Sequence, residues 1–255
     1  MKISVILGSP RKKDSFRVTQ MFGEMLGEEV VIDYIHLSKE DIRSCLGCDQ
    51  CFQVSEKKCP HMDRVQSLVK AIEDSDGIVL ASPVYAYQVP GQLKTFIDRT
   101  SYLFHRPTFM SKPAVIITTT DGGGGKAVYD YLKMTLTGWG VKCVGGINII
   151  STRYFKERKR FDIKYHDKKN KQMSDLSQKF LKQLKNSDKM PSYYDLFMFN
   201  CLRSKTYTSE VDKKYWVDRG WMNKLYFKDI KLPLFKRIFA QAVKHMIHQL
   251  GKKYS

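Results

Sequence analysis

GIVLASPVYAYQVPGQLKTFIDR, residues 77–99, is a strand, a loop and a helix in succession. Gly77 to Ala81 is a short apolar run rich in β-branched residues, the mark of a strand buried on both faces. Ser82 to Gly91 is rich in Pro, Tyr and Gly, and Leu93, Phe96 and Ile97 then recur at helical spacing. The same succession continues in both directions. Upstream, Ile3 to Leu7 is a strand, the turn Gly8 to Ser15 follows, and Val18, Met21, Phe22, Met25 and Leu26 mark a helix. Val30 to Leu37 is a second strand, and Val65, Leu68, Val69 and Ile72 mark the helix that leads to Gly77. Downstream, Ala114 to Thr119 is a fourth strand, and Val128, Tyr131, Leu132 and Thr135 lie on a helix that ends near Gly138. Val141 to Ile150 is a fifth strand, and Met173 to Leu184 is the last helix of the domain. Five alternations predict an α/β fold, a doubly wound five-stranded parallel sheet with helices on both faces. Residues 152–172 are polar and basic, and are expected to be a surface loop or linker.

The 255 residues suffice for one such domain and an extension. No run approaches the ~18 apolar residues that cross a bilayer. The apolar N-terminus lacks a small-residue cleavage site and leads into a glycine turn, so it reads as a strand and a cytoplasmic location is expected. Charge is uneven. Residues 1–150 hold 18 Lys and Arg against 16 Asp and Glu, whereas residues 151–255 hold 26 against 10. The division expected is an α/β domain over 1–189, with a cysteine loop at 42–61, and a basic extension over 190–255.

Ligands of open α/β sheets bind at the carboxyl ends of the strands, and three such ends carry unusual loops. Gly8 to Ser15 joins a strand to a helix, whose free N–H groups and dipole attract phosphate. Ser9 and Ser15 offer hydroxyls there, Arg11 offers charge, and Phe16 follows. The loop has neither the GxGxxG spacing of dinucleotide sites nor the lysine of a triphosphate loop. A hydroxyl-rich turn suits a phosphomonoester such as that of FMN; a plain capped helix is the alternative. In the second loop Tyr85 and Tyr87 can flank a flat ring, or it is a rigid turn with exposed tyrosines. In the third, Thr118-Thr-Thr-Asp-Gly-Gly-Gly-Gly125, four glycines let backbone approach a ligand closely, or form a flexible loop.

Together, GSPRKKDS, ASPVYAYQVPGQLKTFIDR and TTTDGGGG, in this order and spacing, resemble the NAD(P)H-dependent FMN reductase family of flavodoxin-like proteins. The resemblance covers about residues 1–185 and implies strand order 2-1-3-4-5. It places Ser9, Arg11, Ser15 and Phe16 at the FMN phosphate, Pro83, Val84, Tyr85, Ala86 and Tyr87 at the ring, and Thr120, Asp121, Gly122 and Gly123 at its far edge. Lys13 and Asp14 depart from the small or amide residues usual there. NAD(P)H would be the electron donor and a quinone, flavin or other small molecule the acceptor, with no catalytic side chain required. A non-enzymatic electron carrier is the competing class, and a basic binding module without flavin is a third.

Cys45, Cys48, Cys51 and Cys59 have the spacing C-x2-C-x2-C-x7-C, and Pro60 follows. In a cytoplasmic chain clustered cysteines favour metal over disulfides. Two C-x2-C steps with a nearby fourth cysteine suit a 4Fe–4S cluster. Zinc, which takes separated pairs, fits less well, and bare redox-labile thiols are the other alternative. The loop also resembles that of the iron–sulfur flavoproteins, which implies a cluster close to FMN and a ferredoxin-like partner. His61 beside it reads as a surface residue.

Leu234, Phe235, Ile238, Phe239, Ala242, Val243, Met246, Ile247 and Leu250 make an apolar stripe on a basic helix. The stripe is expected to pack on its own domain or on a second subunit of a homodimer or tetramer. A contact with an anionic membrane surface is the alternative, and no nucleic-acid motif is present.

Overall fold

The computed structural model describes residues 1–155, 160–186 and 190–253. In chain order its elements are β1 (Lys2–Leu7), α1 (Asp14–Glu24), β2 (Val31–His36), α2 (Gln50–Gln53), α3 (Val65–Glu73), β3 (Gly77–Pro83), α4 (Gly91–Arg99), β4 (Pro113–Thr120), α5 (Gly125–Gly138), β5 (Lys142–Ile150), α6 (Ser151–Phe155), α7 (Arg160–Lys185), α8 (Tyr193–Leu202), α9 (Glu210–Asp218) and α10 (Leu234–Gly251). The sheet order is β2-β1-β3-β4-β5, with every neighbouring pair parallel.

Every residue of β4 is buried, and of β3 only Pro83 is not. This is why both read as continuous apolar runs. The edge strands β2 and β5 are only partly covered. Within the buried strands successive side chains still serve opposite faces. Ile6, Leu80 and Ile116 pack against Leu93, Phe96, Val128 and Trp139. Val5, Val79 and Val115 pack against Val18, Phe22, Met173 and Phe180 from α1 and α7.

The expected loop over 152–172 is not what forms. Ser151–Phe155 and Arg160–Lys185 are helical, while residues 156–159 lie outside the described residues. Polarity here reflects an exposed helix made of good helix formers such as Lys and Gln, not the absence of a helix. A few side chains fix it: the Tyr165 hydroxyl accepts from the Ile150 N–H at 2.8 Å, and Met173 is fully buried.

The extension builds a small core of its own from Phe199, Leu202, Trp216 and Trp221. Arg203 lies inside it, donating to the carbonyls of Trp221, Met222 and Lys224 and to the Asn200 side chain. Burial pulls its guanidinium down to about 10. Ser192 and Asp195 form a reciprocal capping box that starts α8. The stripe on α10 divides: Val243 and Ile247 are buried beside Ala240, Phe239 is half-buried, and Leu234, Phe235, Ile238, Ala242, Met246 and Leu250 are exposed.

Candidate functional site

The ends of β1, β3 and β4 meet at a polar cavity of about 110 Å³. Of the residues singled out by sequence, Ser9, Arg11, Ser15, Pro83, Val84, Tyr85, Thr120 and Asp121 line it. Ser9 is held in a local turn, its hydroxyl donating to the Arg11 carbonyl at 2.7 Å and accepting from the Arg11 N–H at 3.2 Å. Ser15 and Thr119 share a hydrogen bond of 2.6 Å that joins α1 to β4. The Thr120 hydroxyl donates to the Gly123 carbonyl at 2.7 Å and accepts from the Gly122 N–H at 3.1 Å, which shapes the glycine loop.

Ala86 and Tyr87 do not line this cavity; they form the tip of a tight turn beside it. Tyr85 and Gln88 exchange backbone hydrogen bonds of 2.8 and 2.9 Å around them. Both tip residues have positive φ, 47° and 63°. Such a two-residue turn ordinarily takes Asn-Gly. An Ala-Tyr pair there holds backbone strain of the kind concentrated at functional sites. Tyr87 is exposed and faces the glycine loop, where a Cβ on Gly123 would meet its hydroxyl at 3.3 Å. Phe16 points elsewhere: its ring meets Tyr34 at 5.4 Å and His36 at 5.3 Å on the β2 side.

Cys45, Cys48, Cys51 and Cys59 all line a second cavity, of about 50 Å³, together with Arg99 and Tyr102. Residues 41–49 carry neither helix nor strand. Arg99 pins the loop from α4, donating to Asp63 at 2.5 and 3.1 Å, to the Arg43 carbonyl at 2.7 Å and to the Cys59 sulfur at 3.4 Å. Burial alone would raise the Asp63 carboxyl; the Arg99 guanidinium and the N–H groups of Arg43 and Val65 outweigh it and hold the carboxyl low. Burial raises the Cys51 thiol, and the neighbouring Cys45 adds to the rise. Among the described residues no group of three or more His, Cys, Asp or Glu is arranged to hold a metal ion as it stands. The donor chemistry nevertheless suits an iron–sulfur group. Four thiols share one cavity, the Gly47 N–H reaches the Cys45 sulfur at 3.5 Å, and the buried Nε of Arg99, which lines the cavity, has no hydrogen-bond partner among the described residues. His61 lines this cavity and hydrogen-bonds the Ser44 carbonyl at 2.9 Å.

The two cavities share no lining residue. One lies at the strand ends before α4 and the other at the last turn of α4.

The family model for NADPH-dependent FMN reductases matches residues 1–155. The chain belongs to that family. The reductase is also 30% identical over 233 residues to an iron-sulfur flavoprotein of Archaeoglobus fulgidus, covering 87% of this chain and 100% of that one. An iron-sulfur flavoprotein of Clostridioides difficile is 30% identical over 188 residues, 67% of this chain and 82% of the other. Among solved structures, RosB with a bound 8-demethyl-8-formylriboflavin-5′-phosphate matches with a TM-score of 0.57 at 12% identity, over 92% of each chain. The NADH:FMN oxidoreductase EMOB matches with a TM-score of 0.52 at 18% identity, over 71% of this chain and 88% of the other. These likenesses establish the flavodoxin-like fold, and the family makes the chain an FMN-dependent NAD(P)H oxidoreductase. No helix among the described residues of the reductase is long and apolar enough to cross a membrane.

The cavity of the reductase includes four residues outside the sequence-derived set: Lys13, Asp14, Thr119 and Ser151. Thr119 reads as one more buried strand residue. Only its place at the carboxyl end of β4 distinguishes it, and Ser151 likewise follows directly on β5.

Proposed function

We propose that this reductase binds FMN with its phosphate at the α1 N-terminus and its ring along the Pro83–Tyr87 loop, and passes electrons from NAD(P)H to a quinone, flavin or other small acceptor. The observation that carries this is the convergence of three loops, 9–15, 83–85 and 119–121, on one polar cavity at the strand ends. Arg11 and the first N–H groups of α1 hold the phosphate dianion, favoured there by the helix dipole. The strained Ala86–Tyr87 tip presents backbone and an aromatic face to the ring, and Thr120 and Asp121 close its far edge. Bound FMN supplies hydride acceptance and electron release. The chain's share is to bind, orient and shield it.

A second reading rests on the four thiols that share one cavity. On this reading Cys45, Cys48, Cys51 and Cys59 would hold a 4Fe–4S cluster, which would supply single-electron relay to a ferredoxin-like partner. Both relatives described above carry the name iron-sulfur flavoprotein. An anaerobic absorption spectrum followed by addition of NADH or NADPH tests the pair of readings. Rapid bleaching of the flavin band supports the reductase. Flavin bands with a cluster shoulder, bleached only through reduced ferredoxin, favour the carrier. Protein that binds no FMN refutes both.

A further inference from the structure

We propose that the outer face of α10 docks in the plane of an anionic lipid surface. Leu234, Phe235, Ile238, Met246 and Leu250 lie on one side of this helix, and every one is exposed, Phe235 at 76% and Leu234 at 56%. Ala242 is the small member of the same sector, and His245 and Gln249, 3.4 Å apart, are its polar members. The opposite side is already used, since Ala240, Val243 and Ile247 are buried against the rest of the chain. The face continues onto α8, where the half-exposed Tyr193 ring meets Phe239 edge-on at 5.2 Å. Aromatic rings beside aliphatic side chains suit the boundary between headgroups and acyl chains.

Charge selects the occupant. Residues 230–253 contain six Lys and Arg and no Asp or Glu. Lys236 and Lys244 are tied to the carbonyls of Pro191 and Asn223. Lys231, Arg237, Lys252 and Lys253 are exposed and pair with no carboxylate among the described residues. Packing this face on a second copy of itself would oppose two such cationic sets with no acid on either helix, and like charges facing each other disfavour the contact. An acidic protein would answer the cations. It would answer the apolar row only with a hydrophobic groove running the length of this 18-residue helix, about 27 Å. A bilayer interface answers both, because it buries the row while anionic headgroups meet the lysines.

The test is sedimentation of the full chain, loaded with FMN, with vesicles of phosphatidylcholine alone or mixed with phosphatidylglycerol. The chain should sediment with the mixed vesicles, weakly with the neutral ones, and less as salt rises. The double substitution Phe235→Ser with Ile238→Ser lies on an exposed surface and should leave FMN content and melting unchanged while abolishing sedimentation. The pair Lys252→Gln with Lys253→Gln should weaken binding by roughly tenfold or more. Failure of the full chain to bind mixed vesicles overturns the proposal, as does equal binding by the serine variant. A wild-type dimer in sedimentation velocity that the serine variant converts to monomer, without vesicle binding, assigns the face to a subunit contact and overturns it too.

Discussion

Arg106 and Asp212 are 106 residues apart in the chain and 2.6 Å apart in the fold. Both side chains are buried. The other guanidinium nitrogen of Arg106 donates to the Cys51 carbonyl and comes within 3.4 Å of Glu56. The other carboxylate oxygen of Asp212 meets His105 Nδ1 at 2.7 Å. The extension therefore grips the cysteine loop through a buried network, while none of its residues lines the cavity at the strand ends. Asp212→Asn leaves a buried arginine short of a counter-charge. The expected cost is about 3 kcal/mol, the low end for breaking a buried pair because Glu56 remains. Urea unfolding should show the lowered midpoint, and Cys51 should label faster with an alkylating reagent. If neither changes, the network does not hold the loop.

Arg11 is exposed at the mouth of the strand-end cavity. Arg11→Ala should weaken FMN by about 1.5 kcal/mol, the low end for a hydrogen bond to a charged group, because solvent screens it. Lys12 serves as the contrast. Its ammonium sits 5.3 Å over the Phe16 ring, away from the cavity, and Lys12→Ala should leave affinity unchanged in the same fluorescence titration. Equal losses would mean a diffuse charge effect and no phosphate seat at Arg11.

The strands were readable because β1, β3 and β4 are buried on both faces and so appear as uninterrupted apolar runs, whereas their order followed only from the resemblance of the strand-end loops to a known family. The strand-end loops were readable because Gly, Pro, Ser and Tyr stand out against those runs. Thr119 was not, since a buried threonine that pairs across to Ser15 looks like any strand residue until the distance is known. The Phe16 ring lies outside the cavity for the converse reason. It follows the phosphate turn directly, but one step along a helix rotates a side chain by ~100°, and its ring turns to Tyr34 and His36. The 160–172 helix was missed because polarity was read as irregularity, although its anchors include Tyr165, the Arg153–Asp162 pair and the Tyr154–Asn170 contact. Nor could the sequence reveal the clamp of Asp212 on Arg106, a pairing that local periodicity does not encode.

Cysteine labelling separates the readings of the loop. Burial raises the Cys51 thiol above its ordinary 9.0, so less of it is thiolate at mildly alkaline pH. The exposed Cys45 and Cys48 should alkylate first, and Cys51 should catch up as pH rises through and above 9.0. After anaerobic reconstitution with iron and sulfide the chain should take up about four irons, and all four thiols should resist labelling. Uptake of zinc alone, or full labelling after reconstitution, would rule out the cluster.

The Asp63–Arg99 pair gives the cysteine loop an acid limit. The folded carboxyl is held below its ordinary 3.8. Its stabilisation is therefore complete above that value and is lost as pH falls through the lower folded value. Asp63→Asn should destabilise the protein by about 3 kcal/mol near neutral pH, since both partners are buried. The gap between wild type and variant should shrink as pH drops below 3.8. Urea midpoints measured from neutral to acid pH check the sign. A gap that widens on acidification would contradict it.

Gly124 is where the second and third strand-end loops meet. It caps α5 with φ of 81°, and a Cβ there would stand 2.8 Å from Val84 Cγ1, 3.1 Å from Tyr87 Cδ1 and 3.2 Å from Tyr87 Cα. A rotamer change can move the Tyr87 ring but not its Cα. Gly124→Ala therefore carries two costs: a left-handed conformation at about 1–2 kcal/mol, and displacement of the Tyr85–Gln88 turn from the glycine loop. The first lowers the melting temperature. The second opens the ring side of the cavity and should weaken FMN by roughly tenfold, an amount equal to about 1.4 kcal/mol. Gly122 lies two residues away in the same loop, and a Cβ on it meets nothing within 4 Å. Gly122→Ala should accordingly be near neutral in both melting and FMN titration. If Gly124→Ala melts lower yet binds FMN as tightly as wild type, the contact between these loops supports the fold and not the flavin ring. If Gly122→Ala weakens FMN as much as Gly124→Ala does, the glycine loop touches the cofactor along its length rather than through Tyr87.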